Sequence, residues 1–240
     1  MAVDMDRRYA TAGARVDAAE IDAGLRKYML GVYNYMASGL IVSAVVALLA
    51  SNSPAVMNAI FGSGLGIVVM LAPLGIILVM SFAQGKLSTP VLQGLYWAMV
   101  ATMGLSLSTI FLVYNLGDIV RVFFITAAAF AGLSLYGYTT KRSLSAMGSF
   151  MMMGLIGIII ASLVNLFLES SMMQMVISVI GVVVFAGLTA FDTQRIKSTY
   201  IAHRMEGDVA VRSAVSDAVG LYLNFVNMFM LLLSLFGNRE

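Results

Sequence analysis

Apolar and polar positions in this chain do not alternate; they come in blocks. Seven apolar runs lie near 28–50, 65–82, 91–113, 119–136, 145–168, 172–190 and 213–236, and short stretches holding most of the charge separate them. Each run has about 18–24 residues, and about 20 helical residues cross a hydrocarbon core of roughly 30 Å. The pattern predicts an all-α membrane protein of seven transmembrane helices. Pro73, inside the second run, predicts a kink rather than a break. Pro90, just behind Ser88 and Thr89, predicts a capped start for the third helix. Residues 28–240 form the transmembrane domain. Residues 1–27 form a polar cytoplasmic tail, without the apolar core or cleavage site of a signal peptide. Part of that tail forms either a short surface helix or a disordered segment. The largest hydrophilic loop, 192–212, is too short for a catalytic domain, and no enzyme is expected.

Composition agrees with the block pattern. Hydrophobic residues make up 60% of the chain and charged residues 11%, against roughly 45–50% and about 25% in soluble domains. A chain of this size cannot bury so much apolar surface in a core, so lipid must solvate it. Net charge is only +2, with the basic residues spread among loops, and no nucleic-acid face results. Cysteine is absent, which excludes disulfides and thiolate metal sites. A single His, His203, excludes a histidine-based metal site or a Ser-His triad within one chain. With the N-terminus inside, Arg7, Arg8, Arg15, Arg26, Lys27, Lys86, Lys141, Arg142, Arg195, Lys197, Arg204 and Arg212 fall on the inner side. Only Arg121 and Arg239 of the 14 basic residues remain outside. The asymmetry predicts an inner N-terminus and an outer C-terminus.

Polar residues at membrane depth then carry the functional information, because lipid cannot satisfy them. Asp217, Asn224, Asn227 and Ser234 are spaced seven, three and seven apart, which predicts one polar face on a seventh helix wrapped by the others. Asp192 is expected to end the sixth helix at the inner surface, from which the seventh helix starts, so Asp192 and Asn224 can meet. Hydrogen bonds that merely lock helices together are the simpler reading for Ser234, and an equal alternative for Asn227. Asp192 is the stronger candidate, since a neutral residue would join helices at lower cost.

The paired stretches GLTAFDTQRIK (187–197) and VGLYLNFVNMFMLLLSLFG (219–237) resemble the last two helices of the Bax inhibitor-1 (transmembrane Bax inhibitor motif) family, in its bacterial YccA-like branch. The resemblance implies a seven-helix inner-membrane fold with a central last helix, and a calcium leak gated by pH. Two aspartates, one on each of the last two helices, would share a proton and latch the pore. Here the first aspartate is Asp192, the implied calcium contact, but the second position is Asn224. An amide cannot share a proton with a carboxylate as a second carboxylate does. Either the latch stays closed or its pH response rests on Asp192 alone. Asp217 is a candidate substitute, although seven residues is about 10 Å along the helix. Lys86 corresponds to the family's basic latch partner, and Arg195 and Lys197, one turn beyond Asp192, are candidate partners too. Calcium would be the permeant ion, with no resident cofactor. The branch also implies an alternative role, as a regulator that binds and restrains a membrane-anchored ATP-dependent protease. Phe191-Asp192 and Gly117-Asp118 are similar to the motifs of intramembrane aspartyl proteases, but in the reverse order, and that reading is rejected.

Overall fold

A computed structural model describes the backbone of residues 2–83 and 86–238, with side chains from residue 21 onward. Arg7, Arg8, Arg15 and Arg239, which entered the charge asymmetry, lie outside the described side chains. In chain order the helices are α1 (Ala2–Ser51), α2 (Pro54–Phe61), α3 (Leu65–Ala83), α4 (Thr89–Leu107), α5 (Ile110–Val113), α6 (Leu116–Thr139), α7 (Ser145–Leu168), α8 (Ser171–His203) and α9 (Gly207–Phe236). Seven stretches are long and apolar enough to span a membrane, with α4 and α5 together making the third. The described residues contain no strand.

Local chemistry sets the helix ends. Ser53, Asn115 and Ser170 each accept a hydrogen bond from a backbone amide in the first turn of α2, α6 and α8. Ser88 precedes α4 with Pro90 in its first turn, as expected, but the Ser88 side chain makes no capping hydrogen bond. Helices α7 and α8 end on left-handed residues, Glu169 (φ 47°) and Arg204 (φ 43°). Pro73 lies within an unbroken α3.

Three features differ from the sequence reading. The first helix begins at Ala2, so the tail and the first span share one backbone helix. At about 1.5 Å per residue it is roughly 75 Å long, well beyond a bilayer core. Second, α8 runs on to His203, so much of the expected 192–212 loop is helix, and Asp192 lies inside α8 rather than ending it. Hydropathy marks where contact with lipid stops, whereas the backbone ladder continues for as long as the residues tolerate it. Third, the 91–113 run is divided at Ser108 and Thr109, whose hydroxyls bond back to the carbonyls of Leu105 and Ser106.

Helix α9 is central. It touches α1, α3, α4, α6 and α8, and it is the most buried of the spans. Tyr222, Leu221, Leu233 and Met228 on it are almost fully enclosed. By contrast α7 packs on α8 at the rim and turns Phe150, Met153 and Phe167 outward, as a lipid-facing helix does. Small residues bring the backbones together. A Cβ on Gly137 of α6 would collide with the backbone of Ala190 on α8, and one on Gly104 of α4 with that of Ser43 on α1.

Candidate functional site

The α8–α9 pair does bring the two expected residues together. Asn224 Nδ2 donates to Asp192 Oδ2 at 2.7 Å. Asn224 is 6% exposed, held among the buried apolar residues of α9. The second oxygen, Asp192 Oδ1, receives Arg195 Nε and Nη2, both at 3.1 Å, from one turn further along α8. Each carboxylate oxygen therefore has its own donor, one a buried amide and the other a half-exposed guanidinium. Bonds to an ionised carboxylate are shorter and stronger than neutral ones.

Asp217 does not join this contact, and its distance along α9 explains why. It instead accepts a hydrogen bond from Tyr28 Oη of α1 at 2.7 Å. The Tyr28 ring stacks on Tyr200 of α8, with centroids 4.8 Å apart. The result is a polar cluster drawn from α1, α8 and α9.

Other candidates fall elsewhere. Lys197 turns away and donates to the Tyr138 carbonyl at the end of α6 (2.8 Å), with its ammonium 4.8 Å from the Tyr138 ring centroid. Five residues along a helix is about 140° of rotation, so Lys197 cannot share a face with Asp192. There it satisfies one of the carbonyls that a helix end leaves open. Lys86 is exposed in the turn after α3 and makes no hydrogen bond or ion pair with Asp192. Asn227 is exposed and bonds to its own helix at the Leu223 carbonyl, 2.8 Å. Ser234 meets Ser178 of α8 at 3.4 Å, a helix-to-helix contact. The expected single polar face is thus a drifting one, because 3.6 residues per turn carries Ser234 about 100° around from Asp217.

The residues after Asp192 have partners that spacing alone did not reveal. Thr193 Oγ1 donates to the Thr189 carbonyl at 2.9 Å and lies 3.5 Å from both Ser134 Oγ of α6 and Tyr33 Oη of α1. Gln194 accepts from the Leu144 amide and donates to the Arg142 carbonyl, both at 2.8 Å, and so fastens the α6–α7 turn. At the far end of the bundle Asp118 accepts from the backbone and side-chain amides of Asn238 at 2.9 and 3.1 Å, and pairs with Arg121 at 2.8 Å. An acidic residue three positions after an Asn cap was the available signal for that cluster. Among the described residues no group of three His, Cys, Asp or Glu side chains converges to hold a metal ion.

Comparison with known proteins gives a consistent picture. Residues 25–240 match the family model described as inhibitor of apoptosis-promoting Bax1. An uncharacterized protein of Caulobacter vibrioides is 45% identical, with 99% of each chain covered. One from Rickettsia prowazekii is 45% identical over 91% of this chain and 92% of its own. The inner membrane protein YbhL of Escherichia coli is 43% identical over 91% of this chain and 94% of its own.

Proposed function

The chain belongs to the Bax inhibitor-1 family as a multi-pass inner-membrane protein, and from that premise we propose that it is a cation leak, with calcium as the permeant ion, closed by the contact between α8 and α9. The observation that carries this reading is the 2.7 Å bond from Asn224 to Asp192. Releasing that bond loosens one fastening between α8 and the central α9 and leaves a carboxylate oxygen to face an entering cation. The reading includes no catalytic step and no resident cofactor; calcium is cargo. It places the N-terminus inside and the Asp192 end of the bundle at the cytoplasmic surface. Calcium flux into proteoliposomes of purified protein, measured against pH at fixed ionic strength, tests it. Flux above protein-free vesicles, altered by Asp192→Asn, is expected; flux equal to that of empty vesicles overturns the reading.

A second reading, regulation of a membrane-anchored protease, is favoured by the length of α1, which at roughly 75 Å projects past the bilayer. Removing residues 1–20 separates the two. A leak keeps its flux, whereas a regulator loses its effect.

A further inference from the structure

Helices α1 and α6 lean on α8 and α9 rather than on each other. Between them runs a groove of about 1060 Å³, floored by Lys197 and Ile201 of α8. Its lining is graded. Asp22, Arg26 and Lys197 stand at one end, and Met29, Met36 and Phe130 line the deeper part. From Asp22 to Met36 the α1 wall is about 21 Å long at 1.5 Å per residue, close to the roughly 20 Å of one leaflet with its headgroups. A polar mouth over an apolar channel of leaflet length, open sideways to the bilayer, matches an amphiphile lying parallel to the spans. Two cations against one carboxylate at the mouth favour a negative headgroup. Lys197 is held in place for this by the Tyr138 carbonyl and ring, and its ammonium has three donors.

We propose that this groove binds one anionic phospholipid of the adjoining leaflet, its acyl chain between α1 and α6 and its phosphate at Arg26 and Lys197. The site borders the latch. Tyr33 and Ser134, both in the groove wall, reach to 3.5 Å from Thr193, the residue after Asp192. A bound chain therefore presses on the turn of α8 that carries the carboxylate.

Native mass spectrometry of the full chain, released from vesicles of equal phosphatidylglycerol and phosphatidylcholine, tests the site without reference to ion conduction. The parent should retain one phosphatidylglycerol in preference to phosphatidylcholine, by about fivefold for each basic side chain near the headgroup. Ala131→Trp, at an exposed position on the groove wall, should fill the channel and lose the retained lipid of either kind. Ala37→Trp, exposed on the opposite wall, should do the same and guards against a folding defect in the first variant. Arg26→Gln should keep a lipid but lose part of the headgroup preference. Added glycerol phosphate should not displace the lipid, because the chain supplies most of the binding. Equal retention in the parent and both Trp variants, an unchanged preference in Arg26→Gln, or displacement by glycerol phosphate would each overturn the proposal.

Discussion

Asn224 and Arg195 take one oxygen each of Asp192, and this division explains what the amide does there. The Asn224 amide is a neutral donor that does not titrate, so it cannot share a proton with Asp192 as a second carboxylate would. Two carboxylates at the same separation would titrate as a coupled pair sharing a proton. The variant Asn224→Asp should therefore make calcium flux depend more steeply on pH than in the parent. Asp192→Asn in that background should flatten the profile again. Flux–pH curves for parent, single and double variants check this, and superimposable curves for parent and Asn224→Asp would remove the contact from the gate. The meeting of Asp192 with Asn224 was legible because two motifs on consecutive helices start from one surface, and Arg195 because three residues is nearly one turn. Lys197 was misplaced by ignoring the extra rotation of its five-residue spacing. Asn227 was misplaced by treating a stripe of sevens and threes as straight.

At the scale of the element, α8 carries three consecutive polar residues that serve three neighbours. Asp192 faces α9, Thr193 faces α1 and α6, and Gln194 holds the turn between α6 and α7. Successive helical positions point about 100° apart, so a run of three necessarily addresses three directions. Gln194→Leu leaves the Leu144 amide and the Arg142 carbonyl without their side-chain partner. Each such loss costs about 1–3 kcal/mol when buried and less where water reaches the group. Arg142 is exposed and Leu144 is buried, so the amide should dominate the effect. Amide hydrogen exchange should accelerate over 140–148 while the α8–α9 contact region stays protected; unchanged exchange in the turn would show that the glutamine contributes nothing there. The partners of Thr193 and Gln194 were not visible in the sequence, since hydropathy shows which segments enter lipid but not which turn lies beside which helix. The same limit hid the extension of α8 to His203. Its residues beyond Ala190 are polar enough to read as a loop, yet they pack Ile196 and Tyr200 inward at helical spacing.

Across the whole molecule, α9 is fastened at separate levels by different chemistry. About a third of the way along it Asp217 meets α1, and just past its middle Asn224 meets α8. Just past its end the Asn238 amides bond to Asp118, and Arg121 Nη2 of α6 donates to the Phe236 carbonyl at 3.1 Å. On α9 Asp217 lies about 28 Å from Phe236 at 1.5 Å per residue, close to the roughly 30 Å of a hydrocarbon core, whereas Asn224 lies only about 18 Å from it. The seven spans were legible because lipid imposes length and apolarity on each one; the central place of α9 was legible because its polar residues need protein around them. Sidedness is a prediction from charge. An odd number of spans puts the termini on opposite sides, and twelve of the 14 basic residues gather with the N-terminus. A reporter fused after Glu240 should therefore read as external, and one inserted within 201–211 as internal. The Asp118 cluster would then lie toward the periplasm and the Asp192 cluster toward the cytoplasm. An internal signal from the C-terminal fusion would leave α9 short of the far surface, and neither the closing contact at Asn224 nor the cluster at Asp118 could occupy the side assigned to it.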